Sequence, residues 1–336
     1  VTQNAQSAYS AAGVSQRDAD SAVSALVAHL AKIKTGKPSR VVPLPGHYAS
    51  VLKLGDSTGL AIGTDGVGTK MVIAERMGRF DSIGIDCIAM NVNDLICVGA
   101  EPIAMLDFLL CQHADAELCD QLGIGLRVGA ELAGIEIPGG EIAQVGDIVN
   151  GPELAGTAVG LVELDRIVKG DRIAPGDVLI GLPSSGLHSN GYTLARSVLD
   201  GIPLDDGRLG VPLGEALLEP TTIYVRAVLE LLESEVDVRG LAHITGDGLN
   251  NLLRLSESVG FEVDEPLDVP AVFHLIQDVG RISDEEMYEV FNMGLGFVCI
   301  VAGADEARAV QLLSAQHAGA RRVGMVTDRA GAVERA

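Results

Sequence analysis

The stretch Gly63-Thr64-Asp65-Gly66-Val67-Gly68-Thr69-Lys70 follows an apolar run, so an extended strand must end there and the chain must turn. Gly66 and Gly68 allow backbone N–H groups to approach an anion closely, whereas the carboxylate of Asp65 between them repels one. A carboxylate about 4 Å from a phosphate charge is repelled by roughly 4 kcal/mol at an effective dielectric of about 20. A divalent cation between the two resolves the conflict. Asp65 is therefore read as a Mg2+ ligand, and Gly66, Val67, Gly68, Thr69 and Lys70 as the phosphate turn. Two better-known turns are excluded. Thr69-Lys70 inverts the lysine–hydroxyl order of a Walker loop, and Met71 stands where a dinucleotide fingerprint needs a third glycine.

A chain of 336 residues exceeds one comfortable core, and two domains are expected. A formal net charge of -22 opposes nucleic acid and anionic membrane surfaces, so neither is an expected partner. The five cysteines show no paired metal spacing. The first residues, VTQNAQSAYS, lack the basic and apolar segments of a secretory signal, and no run of about 18 apolar residues is present. The cytoplasm is the expected compartment.

Periodicity predicts helices over 19–33, 69–78, 82–98, 115–133, 191–200, 221–234, 248–258, 283–292 and 304–318. Strands are expected over 59–63, 102–111, 154–162, 178–182, 241–245, 295–302 and 321–327. The order lacks a steady βαβ rhythm, which favours an α+β fold of two α/β domains with mixed sheets. The charged, Gly- and Pro-containing segment 163–177 marks the boundary, giving domains 1–168 and 169–336.

Within helix 82–98, Asp86, Met90 and Asp94 fall at i, i+4 and i+8 on one stripe, with Asn91 on a neighbouring line. Acids on so apolar a helix need partners. A cation shared with Asp65 is one answer, and a salt bridge or a solvated face is the other. Gly139-Gly140-Glu141 is expected at a loop end after a short strand, with Glu141 as a third acid. Ser184-Ser185-Gly186-Leu187-His188-Ser189-Asn190-Gly191 sits between a strand and a helix. There, hydroxyls, helix N-terminal amides and an imidazole converge as a grip for a phosphate monoester. His188 is also a candidate general acid or base near neutral pH. HITGDG at 243–248 and FNMGLG at 291–296 are weaker candidates for the cleft lining.

GTDGVGTK, GIDCIAMNVNDLICVGAEP, GGEIAQ, SSGLHSNGYTL, HITGDGL and FNMGLGF, in this order and spacing, resemble the phosphoribosylformylglycinamidine cyclo-ligase (AIR synthetase) family over nearly the whole chain. The resemblance implies ATP-dependent closure of formylglycinamidine ribonucleotide to 5-aminoimidazole ribonucleotide in purine biosynthesis, with ADP and phosphate released. It implies Mg2+ and ATP held by Asp65, Asp94 and Glu141, with Gly66 to Lys70 and Asn91 at the nucleotide. Ser184, Ser185, Gly186, His188, Ser189 and Asn190 fall on the substrate side, with His188, Asp65 and Asp94 as catalytic residues. It also implies a homodimer in which the amino-terminal sheets join as a barrel. The chain departs from the family pattern at Leu44–Ala49, where many members carry a GGFG-like segment, in having no lysine before Lys32, and at Gln144-Val145-Gly146. Two rival readings are another ATP user of the same superfamily, kinase-like in action, and a catalytically silent nucleotide-binding subunit.

Overall fold

The computed structural model describes Ala8, Gly13 and residues 16–335, arranged around two six-stranded sheets. The amino-terminal half runs α1 (Gln16–Leu30), β1 (Val41–Val42), β2 (Ser50–Lys53), β3 (Thr58–Gly66), α2 (Met71–Met77), α3 (Ile83–Cys97), β4 (Glu101–Cys111), α4 (Ala116–Ala133), β5 (Glu136–Gln144) and β6 (Glu153–Glu163). Its sheet has the order β1-β2-β3-β6-β4-β5. Only β4 and β5 pair in parallel, because α4 carries the chain back across the sheet between them.

The second half contains β7 (Val178–Pro183), α5 (Tyr192–Leu199), α6 (Leu213–Leu218), α7 (Val225–Glu233), β8 (Val238–His243), β9 (Gly260–Val263), α8 (Ala271–Gly280), α9 (Asp284–Val290), β10 (Leu295–Val301), α10 (Glu306–Gln316), β11 (Arg321–Thr327) and β12 (Val333–Arg335). Its sheet has the order β12-β9-β11-β7-β10-β8, with β9 and β12 parallel. Both sheets are mixed, as the irregular strand–helix order predicts.

The two sheets are buried differently, and their sequences say why. β10 (LGFVCIV) is apolar throughout and buried at every position, as a strand covered on both faces must be. β6 alternates buried and more open residues, as a strand covered on one face does. The open face of the first sheet leaves Ile103, Leu106, Phe108 and Leu161 exposed.

Helix α3 joins the halves. It packs on the first sheet and α4, and its other side reaches β8 and α7. All its residues except Ile85 and Asp94 are buried. The close approach to α4 requires glycine: a Cβ on Gly84 would lie 2.1 Å from the Leu126 nitrogen, and one on Gly125 would lie 2.6 Å from the Asp81 carbonyl oxygen. Asp115 starts α4 by accepting the Glu117 N–H at 2.9 Å, and left-handed Gly134 ends it.

Several expectations differ from what forms. The predicted helix 248–258 is a 3-10 helix ending at Arg254. The predicted loop end at Gly139-Gly140-Glu141 lies in the middle of β5. Among the described residues, no helix is long and apolar enough to cross a membrane.

Candidate active site

β3 extends to Gly66 and carries Asp65 near its carboxyl end, after which Gly68, at φ +67°, turns the chain into a short 3-10 helix and α2. Asn91, on the face of α3 turned to the sheet, accepts the Asp65 N–H at 3.0 Å and donates to the Asp65 carbonyl at 3.1 Å. The backbone of Asp65 is thus fixed by a side chain placed in the same region by sequence. Its carboxylate accepts the Gly66 N–H at 2.7 Å. Burial, then the nearby charge of Asp94, push the Asp65 carboxyl up to about 6, with Glu153 adding a smaller push in the same direction. Three acids therefore share one electrostatic field at the mouth of the turn.

Glu153 was not legible as a member of this group. It is the first residue of β6 and accepts the Gly68 N–H at 2.9 Å, one of the amides that a phosphate would use. Burial also raises its carboxyl. The available signal is the turn Asn150-Gly151-Pro152, which delivers Glu153 at the strand start opposite the end of β3.

The stripe predicted on α3 forms, and all three of its members face the second half. Asp86 pairs with Lys70 and accepts the Thr221 N–H at 2.8 Å and its hydroxyl at 2.6 Å. Met90 lies 4.0 Å from the Asn190 amide nitrogen. Asp94 lies 2.9 Å from Nδ1 of buried His243, at the end of β8. His243, from the weaker HITGDG candidate, is thus the partner that Asp94 needed.

Three expected roles are corrected. Lys70 does not face the nucleotide side of the turn: its side chain is 0 % exposed and its amine is spent inside the protein. Asp86 and two backbone carbonyls hold the amine at this junction, although burial still lowers it below the usual lysine range. Glu141 pairs with Phe108, one residue out of step with the row that aligns Asp65, Gly156, Asp107 and Gly140. Side chains alternate along a strand, so Glu141 lies on the opposite, open face of the sheet, three strands from β3. Accordingly, no cluster of three His, Cys, Asp or Glu positioned for a metal ion occurs among the described residues. His188 is fully buried at φ +60°, and burial holds its imidazole well below the usual range, hence neutral. It is not the open acid–base group expected near neutral pH.

The loop around His188 nevertheless meets the phosphate turn. Thr69 and Thr193 hydroxyls lie 3.3 Å apart, and Ser189 and Thr221 hydroxyls 3.2 Å apart. Ser184 donates to Asn292 at 2.8 Å, and Asn292 donates to the Gly186 carbonyl at 2.8 Å, so the FNMGLG segment braces the loop from behind. Ser185 donates to the Pro220 carbonyl at 2.5 Å. Ser189 and Asn190 remain half-buried at the rim. The departing segment Leu44–Ala49 is tied to the second half. Tyr48 donates to the Asn251 carbonyl at 3.0 Å, and Arg254 donates to the Gly46 carbonyl at 3.0 Å with its guanidinium 4.4 Å above the Tyr48 ring.

Two family models match. "AIR synthase related protein, N-terminal domain" covers residues 46–162, and "AIR synthase related protein, C-terminal domain" covers 174–335. Proteins named phosphoribosylformylglycinamidine cyclo-ligase are similar along nearly their whole lengths. The one from Thermococcus kodakarensis is 48% identical over 330 residues, covering 96% of each chain. The one from Methanothermobacter thermautotrophicus is 44% identical over 331 residues, covering 97% of this chain and 96% of that one. The chain belongs to the phosphoribosylformylglycinamidine cyclo-ligase (AIR synthetase) family. Among solved structures, ThiL complexed with AMPPCP and TMP aligns with a TM-score of 0.65 at 17% identity, covering 87% of this chain and 88% of that one. The hydrogenase maturation protein HypE in complex with ATP aligns with a TM-score of 0.63 at 19% identity, covering 88% and 87%. At these identities, the two structures share the fold of the AIR synthetase family and carry no statement about its chemistry.

Proposed function

We propose that this chain is an ATP-dependent cyclo-ligase that closes formylglycinamidine ribonucleotide to 5-aminoimidazole ribonucleotide, with release of ADP and phosphate. The reading is carried by one observation: the phosphate turn, with Asp65 and Asp94 at its mouth, lies against the loop that bears Ser189 and Asn190, through Lys70 on the His188 carbonyl and the Thr69–Thr193 contact at the start of the helix that follows. In this reading the γ-phosphoryl group passes to the formamide oxygen, making it a good leaving group. The amidine nitrogen attacks the same carbon, and phosphate departs as the imidazole ring forms. The protein contributes alignment and charge neutralisation and needs no covalent nucleophile.

The donor set at the mouth suits Mg2+. A carboxyl whose ionisation is opposed by a neighbouring carboxylate is relieved by a divalent cation, and Mg2+ takes most of its remaining ligands from phosphate and water. Asp65 and Asp94 would hold the ion, which supplies neutralisation of the triphosphate. Gly66, Val67, Gly68 and Thr69 would offer the backbone and hydroxyl contacts to phosphate, with Asn91 fixing Asp65. Ser184, Ser185, Gly186, Ser189 and Asn190 would form the substrate wall, with His188 as the buried neutral support beneath it.

The domain division is placed at 168/169, between β6 and β7. The apolar open face of the first sheet, with Leu106, Phe108 and Leu161, supports a homodimer through that face and the barrel pairing of the amino-terminal sheets. The cytoplasm remains the proposed compartment. The test is ADP release by purified protein with Mg2+, measured with and without formylglycinamidine ribonucleotide. Release that depends on this substrate, together with a product carrying the aminoimidazole ring, is expected. A stable phosphorylated product would support a kinase-like enzyme instead, and tight Mg2+–ATP binding without turnover a silent subunit.

A further inference from the structure

The lysine of the glycine-rich turn has a different use from the one its position advertises. An ammonium group has three N–H donors and no acceptor. In Lys70, donors reach Asp86 at 2.9 Å, the His188 carbonyl at 3.2 Å and the Glu219 carbonyl at 2.7 Å. None is left over for a phosphate. Both members of the ion pair are 0 % exposed, and the Tyr192 ring closes over the amine at 5.8 Å. Asp86 continues the network to Thr221 through two hydrogen bonds, and Thr221 reaches Ser189 at 3.2 Å. Lys70 thus grips the His188 loop by its backbone at residue 188, and Asp86 grips it through Thr221 at residue 189. Both residues are rooted on the amino-terminal side, Lys70 in the turn itself and Asp86 in the first turn of α3.

We infer that Lys70 and Asp86 are a positioning pair, which sets the substrate loop 184–190 against the phosphate turn and so aligns formylglycinamidine ribonucleotide with the γ-phosphate. The inference rests on the proposed reaction for its kinetic consequence, but not for its structural one. A loop held by a backbone carbonyl at a left-handed residue has little freedom to settle elsewhere while the clamp persists. In the proposed reading the nucleotide meets the backbone of Gly66 to Thr69, whereas the clamp uses the Lys70 side chain.

The full-length protein carrying Lys70→Met with Asp86→Leu tests this, because the double change removes both charges together and leaves no lone ion in the interior. Mg2+–ATP affinity is expected to stay within about threefold of wild type, while kcat for ring closure falls about 100-fold or more. Amide exchange over residues 184–190 should rise about tenfold or more relative to wild type. Lys70→Arg should not rescue turnover, because a planar guanidinium cannot reproduce the three-way geometry of the amine. Loss of Mg2+–ATP affinity by 100-fold would show instead that Lys70 is a phosphate ligand and would overturn the inference. So would a folded double variant with wild-type turnover and wild-type exchange. Should the double variant not fold, Thr221→Val decides: about tenfold lower kcat with unchanged nucleotide affinity supports the clamp, and unchanged kcat overturns it. If the wild-type protein closes no ring, the proposed reaction fails alone, and the exchange measurement still judges the clamp.

Discussion

The two ends of the Gly63–Lys70 turn differ in how far their charges are satisfied. At the Asp65 end, burial and the nearby charges of Asp94 and Glu153 push one carboxyl up to about 6. At the Lys70 end, a buried amine and a buried carboxylate meet at 2.8 Å and every donor of the amine is used. A protein interior punishes unpaired charge, so a satisfied pair marks scaffold and a carboxyl held above its ordinary range by neighbouring acids marks a place kept for a ligand. Eight residues of one turn hold both. The same contrast explains why a phosphate turn carries a carboxylate at all: the acid is there for what a nucleotide brings with it.

The largest expected effect breaks the satisfied end. Lys70→Ala alone leaves Asp86 charged and buried, and should cost about 3–5 kcal/mol in chemical denaturation. A loss below about 1 kcal/mol would show that the pair is not sealed as described.

At the unsatisfied end, the sign reverses. The folded carboxyl of Asp65 at about 6 lies above its ordinary 3.8, so between those values the folded state binds more protons than the unfolded state. Stability from this group is therefore present at low pH and declines as pH rises through about 6. Asp65→Asn should remove that decline and stabilise the nucleotide-free protein at pH 7 by on the order of 2 kcal/mol, while lowering turnover about 100-fold. Denaturation curves between pH 4 and pH 7.5 check the first, and a greater pH dependence in the variant would contradict it.

A smaller effect concerns Glu153, whose carboxylate occupies the Gly68 amide. Glu153→Gln keeps an acceptor and removes a charge, so ADP binding without Mg2+ should tighten about tenfold, measured by calorimetry in chelator. Weaker binding would place Glu153 among the groups that hold the ion. The smallest effect sets the baseline. Arg127 and Glu131 form an exposed pair one helical turn apart on α4, and Arg127→Ala should change stability by less than about 0.5 kcal/mol.

Much of this arrangement was legible in the sequence because it is local. The period of helix 82–98 placed Asp86, Met90 and Asp94 on one stripe, and the stripe faces the second half as a unit. The glycine turn and its strand were readable from composition, although only Gly68 of the pair Gly66 and Gly68 needs a positive φ. What was not legible depends on distant pairings. Lys70 looks like a phosphate group until Asp86, the His188 carbonyl and the Glu219 carbonyl arrive from three other segments. Glu141 looks like a third acid until strand register turns it to the other face. His188 looked accessible because its neighbours are polar, but Tyr224 and the backbone at Gly296 enclose the ring. Helix α8 carries no polar N-cap signal, because Pro270 stands at the cap position with non-helical ψ.

The account stands most directly on calorimetric titration of ATP into the wild-type protein and Asp65→Asn, each with Mg2+ and with chelator. For wild type, Mg2+ should strengthen binding by about 100-fold or more, and for Asp65→Asn most of that gain should vanish. Equal binding with and without Mg2+, or an undiminished Mg2+ gain in the variant, would contradict the reading of Asp65 and Asp94 as the groups that receive the ion.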